Sequence, residues 1–133
     1  MMAWEIYVDG ASSGNPGDSG AGIYIRDGNG REVLQESISL GTMTNNMAEY
    51  EALVRGLHKA IEYAARDVIV YTDSQLVANQ VTGAYKIHND RMRQYVLEVK
   101  KIVGNFDHFA IQYIPRERNR IADKLAKNGI QKG

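Results

Sequence analysis

The chain contains no cysteine and only two prolines. Without thiols it can form neither a disulfide framework nor a thiolate metal site, which fits a reducing compartment, and we expect a cytoplasmic protein. Its 16 basic and 16 acidic side chains cancel, which disfavours a nucleic-acid binder that relies on overall positive charge. No apolar run approaches the ~20 residues of a membrane span, and no signal-like segment follows Met1. We therefore expect no membrane partner.

The composition is otherwise that of an ordinary globular protein. The chain has 133 residues, of which 44% are hydrophobic, enough for one domain with a real core. It shows no internal repeat, linker or low-complexity segment. These features predict a single domain over residues 1–133, and we expect a monomer without an obligate protein partner.

Three strands are predicted at the start of the chain. Apolar and polar residues alternate over residues 4–9, which is typical of a strand. Residues 10–20 hold four glycines and Pro16, which favours a tight turn or bulge. Residues 21–26 and 31–40 form the next two predicted strands. The Asp-Gly-Asn-Gly segment at residues 27–30 predicts a hairpin between them.

Helices and strands alternate in the remainder. Helical spacing of apolar residues predicts a long helix over residues 48–65, capped by Asn46. Further predictions are a buried strand at 68–72, helices at 74–81 and 90–103, a strand at 109–114 and a last helix that Asn119 caps and Gly129 ends. The order β-β-β-α-β-α-α-β-α predicts an α/β fold with helices on the faces of a mixed sheet.

Four acidic residues occupy special places in this pattern. Asp9 and Asp73 each follow a predicted strand, and Glu49 and Asp123 lie near the starts of predicted helices. If the two strands are parallel neighbours, their terminal carboxylates come within reach of one cation. Clustered carboxylates repel one another, so such a group should hold cations, and hard oxygen ligands select Mg²⁺ or Mn²⁺.

Each of these acids also has a simpler structural role open to it. Asp9 could be a turn residue, and either Asp73 or Ser74 could cap the following helix. Glu49 and Asp123 could complement helix dipoles. Taken singly these roles are at least as plausible as a catalytic one, but the four positions together favour a metal site.

Four segments carry a family resemblance: YVDGASSGNPG (7–17), TNNMAE (44–49), YTDSQ (71–75) and IADKLA (121–126). In order and spacing they resemble the four motifs of type 1 ribonuclease H, and the resemblance covers essentially the whole chain. It implies the five-stranded ribonuclease H-like fold, with three antiparallel strands followed by two parallel ones, flanked by helices. It also implies a catalytic and metal-binding set: Asp9, Glu49, Asp73 and Asp123.

The resemblance implies a reaction as well. The expected activity is endonucleolytic cutting of the RNA strand of an RNA–DNA hybrid, leaving 5′-phosphate and 3′-hydroxyl ends. Two Mg²⁺ ions, or Mn²⁺ as the alternative, would support it. Asp9 would bridge both ions, one together with Asp123 and the other together with Asp73, while Glu49 would hold the first ion.

Six candidate substrate-binding residues follow from the resemblance: Ser12, Gly14, Asn15, Thr44, Asn45 and Gln75. Asn15, Asn45 and Gln75 are expected in the minor groove, where 2′-hydroxyl groups are read. Thr44 is expected at a phosphate of the DNA strand, and Ser12 and Gly14 at the RNA backbone. A plain turn at residues 15–17, and helix capping by one of the two asparagines at 45 and 46, are the alternatives.

The sequence departs from the best-known bacterial members in two places. The loop at residues 115–120 has no histidine and resembles an archaeal and bacterial subgroup, so Glu117 or Arg118 could take an auxiliary role. Solvated loop charges, with Arg116 or Arg118 holding a backbone phosphate, are the alternative. The basic protrusion of longer members is also missing, which predicts weak, salt-sensitive binding of the hybrid.

Two other functions stay open at this point. A related nuclease, resolvase or integrase could share the fold and the acids, although the segments at 15–17 and 44–46 are typical of hybrid readers. A non-catalytic or weakly active hybrid-binding module would fit the missing protrusion. Four intact acids count against such a module, because a pure binder does not need to hold mutually repelling carboxylates.

Overall fold

The computed structural model describes residues 2–132. Its elements, in chain order, are β1 (Trp4–Ser12), β2 (Gly17–Arg26), β3 (Glu32–Met43), α1 (Asn45–Glu62), β4 (Asp67–Thr72), α2 (Gln75–Thr82), α3 (Asp90–Val103), β5 (His108–Tyr113) and α4 (Arg120–Lys132). A short 3₁₀ turn, Arg116–Arg118, precedes α4. The predicted order of strands and helices is confirmed. No helix within residues 2–132 is long and apolar enough to cross a bilayer.

The five strands form one mixed sheet in the order β3-β2-β1-β4-β5. β1 pairs antiparallel with β2, and β2 pairs antiparallel with β3. β1 and β4 are parallel, as are β4 and β5. The predicted fold class is therefore confirmed. β1 lies at the centre, where the antiparallel half of the sheet meets the parallel half.

Helices cover both faces of the sheet. Along β1, Ile6 and Val8 point to the face that α1 covers, and a Cβ built on Gly56 of α1 would lie only 2.8 Å from Val8 Cγ1. The alternate residues of the strand point to the opposite face. There α4 packs so closely that a Cβ on Gly22 would lie 2.6 Å from Ala126 N. Asp9, which pairs with Gly22, belongs to this second face.

The main core lies between the sheet and α1. Its side chains that are fully shielded from solvent include Ile6, Ile23, Ile25, Tyr50, Leu53, Leu57 and Val70. The apolar face of α3, including Val96 and Val99, joins the same cluster. Burial of such side chains is the main source of stability, and it anchors β1 and α1, the two elements that carry Asp9 and Glu49.

The predicted loop over residues 10–20 is wrong in extent. β1 continues to Ser12 and β2 begins at Gly17, so only residues 13–16 lie between the strands. Gly10 and Gly20, which were predicted in the turn, instead lie in the strands at places where the backbone of a helix packs against them. A Cβ built on Gly10 would overlap backbone atoms of Ala48 and Glu49 in α1.

Predicted ends of α1 and α4 are also wrong, and α1 ends at Glu62 rather than at residue 65. α1 begins at Asn45, because the Thr44 hydroxyl accepts a hydrogen bond from Met47 N at 3.2 Å and caps the helix in place of Asn46. Gly129 does not end α4, which continues to Lys132. Gly129 instead faces the sheet, and a Cβ there would lie 3.1 Å from Gly20 Cα.

Candidate active site

Three carboxylates meet at the carboxyl end of the two central parallel strands. Asp9 lies in β1, Asp73 directly follows β4, and Glu49 comes from α1, and one oxygen atom from each lies within 4.8 Å of the others. The sheet register produces this meeting, because Val8 pairs with Thr72. Asp9 and Asp73 follow these two paired residues, so they lie at neighbouring positions and point to the same side of the sheet.

A backbone hydrogen bond fixes Glu49 in this group. Its Oε1 accepts from Gly10 N at 2.7 Å, and both groups are buried. Burial raises the pKa of Glu49; the Gly10 hydrogen bond opposes that shift, and the charge of Asp73 adds to it. Glu49 is the fifth residue of α1. It contacts β1 rather than the exposed end of its helix, so helix-dipole complementation does not account for it.

The surroundings of Asp9 strongly favour its neutral, protonated form. Its side chain is almost wholly buried, and desolvation, followed by the charges of Glu49 and Asp73, raises its pKa far above the ordinary value. Asp73 Oδ2 is buried without a hydrogen-bond partner among residues 2–132. Closely spaced carboxylates, one with an unpartnered buried oxygen, fit a hard divalent cation such as Mg²⁺ or Mn²⁺.

Asp123, the fourth predicted ligand, is not a member of this group of three. It sits in the first turn of α4, and its Oδ2 pairs with Lys127 Nζ at 3.1 Å. Its charge nevertheless contributes to raising the pKa of Asp9, after burial and the two nearer carboxylates. The structure thus brings three of the four acids together and leaves Asp123 nearby in an ion pair.

Helix capping does not account for Asp73. Ser74 caps α2, because its hydroxyl oxygen accepts from Val77 N at 3.1 Å. Gln75, one of the predicted substrate-binding residues, is the exposed first residue of this helix, two positions beyond Asp73. The Asp73 carboxylate is therefore available to the acidic group.

The other five candidate substrate-binding residues gather where the β1–β2 loop meets the start of α1. Asn15 Oδ1 accepts from Asn45 N at 3.1 Å. The Ser12 hydroxyl donates to Gly14 O, and Met43 O lies 3.2 Å from it. The Thr44 hydroxyl oxygen is used as the α1 cap. Hydrogen bonds between side chains and backbone hold these residues together as one partly exposed surface.

The loop before α4 places its charges at the surface. Glu117 and Arg118 are exposed in the 3₁₀ turn. The charge of Arg116 in the same turn acts to lower the pKa of Glu49, against the larger effect of burial. The positive charge of Arg116 therefore acts on Glu49 in the carboxylate group. The three histidines of the chain lie elsewhere and are exposed: His58, His88 and His108.

Sequence reasoning missed how Asn119 acts. Its side chain is buried, and Nδ2 donates to Val8 O at 2.9 Å. Its backbone carbonyl accepts from Asp123 N at 3.0 Å. Asn119 therefore joins the start of α4 to the residue before Asp9. The sequence feature that pointed to this residue was an asparagine four positions before Asp123. Because Asn119 was predicted to cap the last helix, its side chain was expected to bond to the helix and not to the sheet.

Comparisons with known proteins identify the family. A family model described as reverse transcriptase-like matches residues 7–129. The crystal structure of RNase H1 from Halobacterium salinarum superposes with a TM-score of 0.95 and 34% identity, covering 98% of this chain and 99% of that one. The chain belongs to the ribonuclease H family. The structure of LC11-RNase H1 in complex with an RNA/DNA hybrid matches this family member with a TM-score of 0.91 and 34% identity, over 97% of each chain.

Some relatives in the family are longer. Halobacterium ribonuclease HI is 36% identical over 124 residues, which are 93% of this chain and 62% of that protein. A Mycobacterium bovis protein is 37% identical over 127 residues, which are 35% of its length. This ribonuclease H family member therefore spans about one to two thirds of the length of these relatives.

The carboxylate group predicts an unusual dependence of stability on pH. Folding raises the pKa of Asp9 and Glu49. Their contribution to the free energy of unfolding is therefore fully present at pH values below about 4, the pKa of such side chains in the unfolded chain. It is lost as the pH rises through the pKa values of the folded protein. In EDTA, the free energy of unfolding should fall by about 1 kcal/mol or more between pH 5 and pH 8. Thermal melts with and without Mg²⁺ check this, since a bound cation should stabilise the protein more at pH 8. An equal Mg²⁺ effect at both pH values would contradict the prediction.

The Asn119 tether predicts a local loss of stability. Asn119→Ala removes a buried hydrogen bond and leaves the Val8 carbonyl without this donor, so the free energy of unfolding should drop by about 1–3 kcal/mol. Urea denaturation measures the change. Asn128→Ala, at an exposed position of the same helix, is the control and should stay within about 0.5 kcal/mol. Equal losses in the two variants would mean that the tether contributes nothing specific.

Proposed function

We propose that this protein is a metal-dependent endonuclease that hydrolyses the RNA strand of RNA–DNA hybrids, leaving 5′-phosphate and 3′-hydroxyl ends. The observation that carries the proposal is the buried group of Asp9, Glu49 and Asp73, whose oxygens lie within 4.8 Å of one another. Membership of the ribonuclease H family and the hybrid bound to LC11-RNase H1 support the choice of substrate.

The positions of the acidic residues support the following roles. Asp9, Glu49 and Asp73, together with Asp123, would hold two divalent cations, Mg²⁺ or Mn²⁺. When bound, the ions would activate the attacking water and stabilise the leaving 3′-oxygen. The Gly10 hydrogen bond keeps Glu49 in one orientation before the substrate arrives. Asp123 would join the set by exchanging its Lys127 partner.

Substrate selection would come from the surface beside the carboxylates. Asn15, Thr44 and Asn45 are fixed by hydrogen bonds to backbone or to one another. Such a preformed surface can read 2′-hydroxyl groups and the shape of the sugar-phosphate backbone without reading base sequence. Arg116 and Arg118, exposed in the turn before α4, would contact phosphates, with Glu117 beside them.

A cleavage assay tests this function. The protein is incubated with labelled RNA–DNA hybrid, duplex RNA and duplex DNA, in Mg²⁺, Mn²⁺ or EDTA. We expect cutting of the hybrid alone, only with a metal present, and its loss in Asp73→Asn. Binding of the hybrid at low salt without cutting in either metal would reject the enzyme. It would favour a non-catalytic module that binds the hybrid. This module is the second candidate function, because Asp123 is paired with Lys127 and is not grouped with the other three acids.

A further inference from the structure

A cavity of about 280 Å³ lies on the α4 side of the sheet, between β1, β2 and the first turn of α4. None of the carboxylates Asp9, Glu49 and Asp73 lines it. Tyr7, which does, stands two residues before Asp9 on the same face of β1, about 7 Å along the strand. The cavity is therefore a neighbour of the acidic group and distinct from it.

One wall of the cavity is aromatic. Tyr7 and Tyr24 line it, with their ring centroids 5.6 Å apart. Tyr7 also stacks on Tyr71, at 4.8 Å and an interplanar angle of 24°. The hydroxyl groups of these three tyrosines have no hydrogen-bond partner within residues 2–132. Such a wall offers flat apolar surface together with free polar groups, which suits a nucleobase.

The opposite wall carries positive charge. Arg118 and Arg120 line the cavity and form no ion pair within the part of the chain that the structure describes. Arg26 adds a third guanidinium from the tyrosine side, next to Tyr24 in β2; its Nε and Nη2 donate to Gly30 O at 3.1 and 2.9 Å, and its Nη1 pairs with Glu5 Oε1 at 3.6 Å. Glu117 is the one acid in the lining. An excess of guanidinium groups, which bind phosphate in a fork geometry, favours an anionic ligand.

Two features of the backbone strengthen this assignment. The residues at 120–122 line the cavity as the first turn of α4, where backbone N–H groups have no acceptor inside the helix and attract phosphate. Asn119, between the two arginines, is 1% exposed and also lines the cavity. Its Oδ1 has no hydrogen-bond partner within residues 2–132. It could accept from a ribose hydroxyl or a base amino group.

We propose that this cavity binds a nucleoside 5′-phosphate, with the base against Tyr7 and Tyr24 and the phosphate at Arg118, Arg120 and the first turn of α4. The ligand is either a free nucleotide or the 5′-phosphorylated end of an RNA strand, since both present the same chemical group. In the second case the site rests on the proposed function, because cleavage creates such ends. Binding itself requires no bound metal and no hydrolysis.

The test is an NMR titration of the ¹⁵N-labelled full chain in EDTA, which separates its outcome from that of the cleavage assay. The probes are AMP, adenosine, inorganic phosphate and a 5′-phosphorylated triadenylate RNA. AMP should shift the amide signals of residues 118–122, Tyr7 and Tyr24, and should bind at least tenfold more tightly than adenosine or phosphate. The trinucleotide identifies the source, since binding at least tenfold tighter than AMP indicates an RNA end and equal binding indicates a free nucleotide.

Variants complete the test. Arg120→Ala should weaken AMP binding at least tenfold, while Arg91→Ala, an exposed arginine of α3, should leave it unchanged. Tyr24→Phe keeps the ring and should bind within twofold of the parent, whereas Tyr24→Ala, which removes the ring, should weaken AMP binding. The proposal is overturned if AMP does not bind at millimolar concentration, if phosphate alone binds as tightly, or if Arg120→Ala binds AMP normally.

Discussion

Asp9→Asn is expected to abolish cleavage of the hybrid and at the same time to stabilise the metal-free protein. Asp9 is the central acid of the group, adjoining both Glu49 and Asp73, and a neutral amide cannot replace its charge toward a cation. Loss of several kcal/mol of transition-state stabilisation corresponds to a fall in rate of about a thousandfold or more. Stability should move in the opposite direction, because one of three mutually repelling carboxylates is removed.

The expected gain can be estimated from the raised pKa of Asp9. Burial and the acidic neighbours cause that rise, so at pH 8 a charge at this position opposes folding. A tenfold change in an ionisation constant corresponds to about 1.4 kcal/mol. We expect the free energy of unfolding in EDTA to rise by about 1–3 kcal/mol. Urea denaturation at pH 8, with and without Mg²⁺, and initial rates on the hybrid measure the two effects.

A matched substitution controls for charge removal as such. Asp18→Asn removes a negative charge from an exposed position of β2, and it should change neither the rate nor the stability beyond about 0.5 kcal/mol. An Asp9→Asn variant that is no more stable than the parent in EDTA would show that the three carboxylates do not oppose folding. A variant that still cleaves the hybrid at more than a tenth of the parent rate would remove Asp9 from the site.

Gly10→Ala is expected to be among the most destabilising single-methyl changes in this chain. A Cβ at this position would overlap backbone atoms of Ala48 and Glu49, and neither β1 nor α1 can move without disturbing the core that both help to form. Overpacking against rigid backbone should lower the free energy of unfolding by about 3 kcal/mol or more. The Glu49 hydrogen bond to Gly10 N should be lost as well.

Gly104→Ala is the control for this substitution. Gly104 follows α3 with φ −60°, and the nearest atom to a Cβ there is Lys101 O at 3.3 Å. The change should be close to neutral, within about 1 kcal/mol. Urea denaturation of both variants gives the comparison, and near-equal stabilities would contradict the packing argument. If Gly10→Ala folds, weaker binding of Mg²⁺, measured as a smaller thermal shift, would report the displaced Glu49.

Much of the site was predictable because it depends on local pattern and strand order. Asp9 and Asp73 each end a run that alternates or is buried as strands are, and the crossover helix before the second of these strands predicts that it lies parallel to a strand of the antiparallel meander. Parallel strands end at the same edge, so two acids at their ends meet if the strands are neighbours. Glu49 needed the family resemblance, since an acid near the start of a helix can equally well serve to complement the helix dipole.

Other features could not be predicted, because they depend on what lies across from each residue. The glycines at residues 10–20 suggested a turn, yet Gly10 and Gly20 lie within paired strands, where helices press against them. The sequence predicted Asn46 as the cap of α1, but the helix begins at Asn45 and Thr44 caps it. Asn119 faces a strand carbonyl that is 111 residues away along the chain.

The sequence by itself thus determined the order of elements, the mixed sheet and the acids that are candidates for the metal site, because periodicity and strand ends are local properties. Only the tertiary structure decided which of those acids gather. Asp9, Glu49 and Asp73 form one group, whereas Asp123 forms an ion pair with Lys127. A cavity lined by tyrosines and arginines lies beside this group. Ion pairs and cavities form between segments that are distant along the chain, so their geometry follows from the packing of helices on the sheet and is not encoded in any one segment.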